Sequence, residues 1–305
     1  MRAMRIRALN ISTFLLTGIL LTLLVVPCLA EKLIRESDKG TQQGGTIKKW
    51  TYTSDGLLVN GELYLPPGRQ KMPLILFNHD GIRGISKEHR LSSIRMAKAG
   101  FVVFSSSYRG EDGSQGMVEI AKGEVNDVLN AMELLKSHER VDAKRIGMVG
   151  ASHGPLISVL AASRSKDVKA VVSAYGVMDI YRWYSYLKNA GKLGKDEVTV
   201  RTYGPGPTAR PQSFAIRNAV SVVSKLDCPV LLLQGSLDDI VPEDQARLME
   251  KAMKKDGKSV EMKIYPDALH GFLVYAPYLN DVTKEERQQT EEAWKTLLSF
   301  LKKEV

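Results

Sequence analysis

A short apolar segment of this chain runs directly into a glycine-rich turn around a single serine. Residues 145–149 have the composition of a buried strand, and the turn that follows is a Gly-x-Ser-x-Gly pattern with Gly150 and Gly154 on either side of Ser152. A sharp strand-to-helix turn forces its central residue into a strained backbone conformation and leaves no room for Cβ atoms at the flanking positions. Ser152 is therefore pushed into the open as a candidate nucleophile.

The residues after the turn support this interpretation without deciding it. Residues 155–162 are apolar and predict a buried helix whose N-terminus lies beneath the serine hydroxyl and favours negative charge nearby. Five-residue glycine and serine patterns also arise by chance in ordinary loops. The serine therefore needs chemical partners elsewhere in the chain before the turn indicates catalysis.

Short apolar runs alternate with helix-like stretches along most of the chain. The runs lie at 73–77, 101–105, 145–149, 168–174, 229–234 and 260–265. The helix-like stretches lie at about 86–99, 122–138, 153–164, 243–255 and 284–303. This alternation is typical of parallel strands covered on both faces. Two earlier strand-like runs, 48–53 and 57–65, predict a leading hairpin. The sequence therefore predicts an α/β fold with a mostly parallel eight-stranded sheet and helices on both faces.

One long interval interrupts the alternation between Ala174 and Cys228. Its roughly 50 residues are more than a simple connection needs, so we expect a helical lid insertion over about 176–225. The aromatic side chains of Trp183, Tyr184 and Tyr186 lie in it, and we expect them to contact a substrate. The alternative is that they pack the insertion onto the domain, because buried aromatics dominate core energetics.

The first 30 residues have a basic start followed by a charge-free apolar run. This pattern predicts an export signal, with small residues suited to cleavage after Ala30. A retained N-terminal membrane anchor is the main alternative, because the run is near the length needed to span a bilayer. A lipid attached to Cys28 is a third possibility. We expect a secreted, periplasmic or cell-envelope protein, with membrane anchoring by an uncleaved segment as the alternative.

Residues 31–47 are polar and contain glycine, which predicts a linker ahead of a folded domain over 48–305.

Cleavage after the leader leaves Cys228 as the remaining cysteine, so we expect no internal disulfide. Hydrophobic residues make up 44% of the chain, enough for a sizeable core. The net charge is +9, but the basic residues are dispersed and form no block interleaved with aromatics, which argues against a nucleic-acid partner.

A serine nucleophile needs a base within hydrogen-bonding reach and an acid to hold that base. Of the five histidines, we expect His89 and His138 at the surface and His79 in a loop-shaping role. Neighbouring side chains across such a turn point in different directions, so we do not expect the His153 ring to be the base. His270 follows the last apolar strand, and α/β sheets place their sites in loops at the carboxyl ends of strands. His270 is therefore the predicted base.

Two adjacent aspartates, Asp238 and Asp239, follow the preceding strand, and either could orient His270 and stabilise its cation. Nucleophile, acid and base then occur in the chain order that is expected of α/β-hydrolases. Three separate positions that agree in this way are stronger evidence than the turn around Ser152 alone.

A forming oxyanion needs preorganised hydrogen-bond donors. The backbone N–H of His153 is one candidate, and the loop after the strand at 73–77 offers the other at Asp80 or Gly81. We expect the Asp80 carboxylate to point away from the anion. The histidines lack the spacing of common zinc motifs, so we predict no metal and no cofactor.

These motifs resemble the catalytic domain of the prolyl oligopeptidase family and the related dienelactone-hydrolase-like esterases, in the α/β-hydrolase superfamily. The resemblance rests on the turn around Ser152, on the glycine, valine and proline around Asp238, and on the His270-Gly271-Phe272 segment. It extends over about 48–301 and implies that Asp238 is the acid. Full-length oligopeptidases carry a large β-propeller, which residues 31–47 are too few to encode. Dienelactone hydrolases use a cysteine nucleophile where this chain has serine.

The sequence thus predicts a secreted or envelope serine hydrolase that cleaves carboxylic esters through an acyl-enzyme. The alternative is a serine peptidase acting on short peptides. A non-catalytic binding module that retains the hydrolase architecture is the third reading. The expected partner is a small-molecule ester or a short peptide.

Overall fold

The computed structural model describes residues 32–42 and 45–305, and in this part of the chain nine strands form one sheet. The strands are β1 (Leu33–Gln42), β2 (Gly45–Ser54), β3 (Leu57–Leu65), β4 (Met72–Asn78), β5 (Val102–Ser106), β6 (Val141–Ala151), β7 (Val168–Ala174), β8 (Val230–Gly235) and β9 (Val260–Tyr265). Their spatial order is β1-β2-β3-β5-β4-β6-β7-β8-β9. Strands β1, β2, β3 and β5 pair antiparallel in succession, and β5, β4, β6, β7, β8 and β9 pair parallel. The predicted mostly parallel α/β sheet is confirmed.

Eight α-helices accompany the sheet in the described residues. They are α1 (Lys87–Lys98), α2 (Gly123–Lys136), α3 (Gly154–Ala162), α4 (Ile180–Asn189), α5 (Glu197–Tyr203), α6 (Pro211–Ala215), α7 (Asp244–Lys255) and α8 (Lys284–Glu304), with short 3₁₀ segments at Ala219–Lys225 and Ala276–Tyr278. The five helices predicted from the apolar pattern correspond to α1, α2, α3, α7 and α8. The segment 176–225, here called the insertion, contains α4, α5 and α6 and the first 3₁₀ segment.

Strand β4 shows why the parallel strands are continuously apolar. Leu74 and Leu76 belong to a buried cluster that contains side chains of α2, α3 and α7. Ile75 and Phe77 point to the opposite face, where they join a cluster with side chains of α1 and α8. Successive side chains of a strand alternate between faces, so both faces require apolar residues when helices cover both.

At residues 31–47, where the sequence predicts a linker, the described residues form β1 and the start of β2 instead. Strand β1 lies at the edge of the sheet, and the side chains of residues 33–41 are exposed. Glu36 on β1 accepts hydrogen bonds from Lys48 Nζ at 2.6 Å and from Trp50 Nε1 at 2.7 Å. A solvent-exposed edge strand can be polar on both faces, so its composition does not distinguish it from a tether. This strand raises the count from the predicted eight to nine.

The predicted leader, residues 1–30, lies outside the described residues. None of the helices in the described part of the chain is long and apolar enough to span a bilayer.

Candidate active site

Ser152 lies at the tight turn between β6 and α3, at the carboxyl edge of the parallel strands. Its φ of +54° is in the left-handed region, which non-glycine residues adopt rarely. A Cβ atom on Gly150 would overlap the backbone of Pro155, and one on Gly154 would overlap the carbonyl oxygen of Asn78. Both glycines of the turn are therefore required by close backbone packing, as the sequence pattern predicts.

His270 follows β9 and reaches back to the serine. Its Nε2 lies 3.0 Å from Ser152 Oγ, and its Nδ1 lies 2.8 Å from Asp238 Oδ2. The ring of Tyr175 packs edge-on against the imidazole, with 5.0 Å between ring centroids. Because a carboxylate can only accept, the Nδ1 hydrogen is donated to Asp238. Nε2 is then free to accept the hydrogen of the Ser152 hydroxyl.

The Asp238 side chain is completely buried, and its carboxylate is oriented by backbone donors. Oδ1 accepts the N–H groups of Ile240 at 3.0 Å and Val241 at 2.8 Å, which leaves Oδ2 directed at His270. The neighbouring Asp239 has a side chain that is 68% exposed and pairs with Lys192 at 2.7 Å. The structure thus places Asp238, and not Asp239, against the histidine.

The loop after β4 brings Gly81 to the same site. The Asp80 carbonyl accepts a hydrogen bond from Nδ1 of the buried His79 at 2.8 Å. In a trans peptide the N–H points opposite to the carbonyl, so the Gly81 N–H is directed away from His79. The Gly81 carbonyl accepts from His153 Nδ1 at 3.2 Å. Gly81 and His153, which flank the serine, are therefore held to each other.

The Asp80 side chain contacts Tyr275 and His89. Its Oδ1 accepts the hydroxyl hydrogen of Tyr275 at 2.7 Å and lies 3.1 Å from His89 Nε2. Burial raises the pKa of Asp80, but the hydrogen bonds from His89 and Tyr275 outweigh it and hold that pKa below its usual value. The expectation that His89 lies at the surface is wrong: its side chain is only 2% exposed. Two of its polar partners, Asp80 and Tyr275, lie outside α1, so the helical pattern of α1 does not reveal them.

The other two histidines of the site are held neutral by burial. Desolvation is the main cause that lowers the pKa of His79 to about 3, and the nearby His89 adds to it. Desolvation also lowers the pKa of His153. Both rings therefore act as neutral hydrogen-bond donors through Nδ1 to backbone carbonyls near neutral pH.

A cavity of about 200 Å³ opens beside Ser152. Ser152, His153, Gly81 and Thr199 contribute to its wall, and the rest is mainly apolar. The apolar lining includes Ile82, Ile120, Leu156, Val177, Ile180 and Trp183. Such a lining suits an uncharged hydrocarbon group and offers little to a charged one.

The three aromatic residues proposed for substrate contact have different surroundings. Trp183 lines the cavity and donates its Nε1 hydrogen to the Ile240 carbonyl at 3.1 Å. Tyr184 is buried and packs edge-on against Phe214, away from the cavity lining. Tyr186 donates its hydroxyl hydrogen to the Asp239 carbonyl at 2.7 Å and does not line the cavity either. Of the three, Trp183 is the one that lines the cavity.

Sequence reasoning missed Ile120, His89 and Tyr275. Ile120 belongs to none of the motifs described above, and Tyr275 follows the His270 segment with no pattern of its own. Among residues 32–42 and 45–305, no group of three or more histidine, cysteine or acidic side chains is arranged to hold a metal ion.

Comparison with known proteins gives one family match and several relatives. The model of the dienelactone hydrolase family matches residues 59–305. The uncharacterized peptidase YtmA of Bacillus subtilis is 30% identical over 222 residues, which are 72% of this chain and 84% of YtmA. Dipeptidyl-peptidase 5 of Porphyromonas gingivalis is 28% identical over 249 residues, which are 74% of this chain and 35% of that protein.

Solved structures share the fold at lower identity. The acylaminoacyl peptidase of Pyrococcus horikoshii superposes with a TM-score of 0.71 at 20% identity, over 86% of this chain and 42% of that one. Acetyl xylan esterase 1 of Thermoanaerobacterium sp. superposes with a TM-score of 0.64 at 17% identity, over 88% of this chain and 87% of that one. The chain thus spans most of YtmA and of the esterase, but less than half of the longer peptidases.

Proposed function

Because the chain belongs to the dienelactone hydrolase family and is a hydrolase of the α/β-hydrolase superfamily, we propose that it is a serine hydrolase with Ser152 as nucleophile, His270 as base and Asp238 as acid. The observation that carries the proposal is the continuous hydrogen-bonded series from Ser152 Oγ through both ring nitrogens of His270 to Asp238. A buried, backbone-held carboxylate at its end is what the chemistry requires of the acid.

The reaction proceeds in two halves. His270 Nε2 takes the hydroxyl proton as Ser152 Oγ attacks the substrate carbonyl, and Asp238 stabilises the imidazolium that forms. His270 then gives that proton to the leaving group, which departs and leaves an acyl group on Ser152. Water, deprotonated by His270, attacks the acyl carbon, and the proton returns to Ser152 as the acid product leaves.

The oxyanion of each tetrahedral intermediate is held by backbone donors. The N–H of His153 lies next to the nucleophile at the N-terminus of α3. We assign the second donor to the Gly81 N–H, and not to that of Asp80. Two observations support this choice: His79 holds the opposite end of the Asp80–Gly81 peptide in the buried interior, and Gly81 lines the cavity. Such a donor contributes roughly 3 kcal/mol to transition-state stabilisation.

An uncharged carboxylic ester with an apolar acyl group is the proposed substrate. The mainly apolar cavity of about 200 Å³ beside Ser152 supports it, because it can take a short hydrocarbon chain next to the attacked carbonyl. The second candidate is hydrolysis of short peptides with an apolar residue in the same cavity. It is favoured by relatives that are named peptidases, YtmA and dipeptidyl-peptidase 5.

We further propose that residues 1–30 direct the protein out of the cytoplasm or anchor it in the cell envelope. The basic start and the apolar run of that segment support this location.

Labelling with a fluorophosphonate probe tests the serine chemistry. Wild type should react covalently, and Ser152→Ala should not. Ser163→Ala is the matched control because Ser163 lies just after the other end of α3 and bonds only to a backbone carbonyl; it should label like wild type. A folded wild type that does not label would overturn the proposal in favour of a binding module.

A second experiment distinguishes ester hydrolysis from peptide hydrolysis. Unlabelled wild-type enzyme from a preparation that reacts with the probe is assayed with aryl esters and with aminoacyl anilides. The value of kcat/KM is measured for each substrate. We expect the esters to be turned over faster. Rapid hydrolysis of the anilides with inert esters would replace the esterase by the peptidase.

A further inference from the structure

The Asp80 carboxylate lies next to the proposed oxyanion donor and is held there by residues from two other parts of the chain. Tyr275, in the loop that carries His270, donates its hydroxyl hydrogen to Asp80 Oδ1 at 2.7 Å. His89, on α1, approaches the same oxygen through Nε2 at 3.1 Å. The chemistry proposed for Ser152 uses neither Tyr275 nor His89.

The role of each His89 ring nitrogen follows from its hydrogen-bond partners. The backbone N–H of Ser86 donates to His89 Nδ1 at 2.9 Å, so this nitrogen carries no hydrogen. The ring hydrogen is therefore on Nε2, where it is donated to Asp80. Ser86 also caps α1 by accepting the His89 N–H, so the helix start fixes the ring in place. Asp80 is thus a largely buried carboxylate held by two hydrogen-bond donors.

The position of this anion affects the proposed reaction. Asp80 and Gly81 share one peptide unit, and the Gly81 N–H is the donor assigned to the oxyanion. A second negative charge close to a forming oxyanion raises its energy, more so where water is excluded. Asp80 does not line the cavity in the structure, whereas Gly81 does. The bonds from Tyr275 and His89 keep the carboxylate in that position.

We propose that Tyr275 is a positioning residue that holds the Asp80 charge away from the oxyanion and thereby keeps the Gly81 N–H available to it. The proposal rests on the proposed function of Ser152. Tyr275 and the base His270 lie in the same loop, so one segment supplies the base and stabilises the oxyanion site. Removal of the hydroxyl frees a charged side chain beside the site, and the penalty arises in the transition state and not in substrate binding.

The test is a double-mutant cycle read by steady-state kinetics with p-nitrophenyl acetate. Tyr275→Phe keeps the ring and removes the donor, and it should lower kcat about tenfold with KM unchanged. Asp80→Asn removes the charge and keeps an acceptor oxygen. In the Asp80→Asn background, Tyr275→Phe should change kcat less than about twofold, because there is no charge left to hold.

Tyr278→Phe is the matched control. Tyr278 is exposed and lies in the 3₁₀ segment just after Tyr275, so it should keep wild-type kinetics. The inference would be overturned if Tyr275→Phe lowered kcat equally in the wild-type and Asp80→Asn backgrounds. It would also be overturned if Tyr275→Phe left kcat unchanged, with or without a change in KM. If Tyr275→Phe is thermally destabilised, its effect on kcat in the Asp80→Asn background still tests the inference, because a general structural defect would lower kcat in that background too. A wild type that fails to label with fluorophosphonate overturns the proposed function itself, an outcome separate from these.

Discussion

Arg217 in the insertion donates its Nε hydrogen to the carbonyl oxygen of Ile120 at 2.5 Å, which ties the insertion to one wall of the cavity. Ile120 has a φ of +53°, a conformation that costs a β-branched residue roughly 1–3 kcal/mol. Its N–H is also bonded, to the buried Glu124 carboxylate at 2.9 Å. Strain that is held from two sides in this way is often found at functional sites.

The Ile120 side chain should therefore set the depth of the cavity. Ile120→Ala removes part of the wall, and we expect kcat/KM for p-nitrophenyl hexanoate to rise at least about fivefold relative to that for the acetate. Val118→Ala is the control, because Val118 belongs to the same buried cluster but does not line the cavity. The same chain-length preference in Ile120→Ala and wild type would contradict this role.

The two adjacent aspartates should behave very differently. Asp238→Asn keeps the shape of the side chain but no longer holds the required tautomer of His270, and kcat should fall roughly 10³- to 10⁴-fold. Asp239→Asn should stay within about twofold of wild type, because its carboxylate is exposed and paired with Lys192 at the surface. Steady-state kinetics on an aryl ester checks both. Similar losses in the two variants would show that the acid is misassigned.

The turn glycine should be irreplaceable for steric reasons. Gly154→Ala places a Cβ against the Asn78 carbonyl oxygen, and neither backbone can move easily, so we expect a loss of about 3 kcal/mol or more in the free energy of unfolding. Gly257→Ala is the control: its φ is +65°, but a Cβ there meets no heavy atom within 4 Å. It should cost about 1 kcal/mol. Urea unfolding measures both, and equal losses would refute the steric argument.

Glu111 should make the stability depend on pH. Burial is the main cause that raises its pKa from the usual 4.5 to about 8, and the carboxylates of Glu124 and Asp112 add to it. Between these two values the folded protein keeps a proton that the unfolded chain has lost, so the free energy of unfolding falls as pH rises. Glu111→Gln cannot titrate and still offers an acceptor oxygen to the Gly84 N–H, which Glu111 binds.

Urea unfolding of both proteins at pH 5 and pH 8 tests this. Between pH 5 and pH 8, the free energy of unfolding of wild type should fall by at least about 1 kcal/mol more than that of Glu111→Gln. A difference between the two proteins that stays constant with pH would mean that Glu111 titrates normally.

Much of the fold follows from local sequence patterns. The apolar runs of β4 to β9 and the helices α1, α2, α3, α7 and α8 are predictable because periodicity and turn residues act over a few neighbours. Strand β1 is not, since a polar segment becomes an edge strand only through the backbone partner that β2 offers. Glu36 makes its bonds to Lys48 and Trp50 only after that pairing.

The sequence by itself determined the turn around Ser152, the order of nucleophile, acid and base, and the α/β architecture that brings them to one edge. The family resemblance also implied Asp238 as the acid. Only the tertiary structure decided that Trp183 and not Tyr184 lines the cavity, and that Tyr275 holds Asp80. The physical reason is one of range. Backbone propensities and glycine sterics depend on adjacent residues, whereas the partner of a buried polar side chain comes from a segment that only packing places beside it.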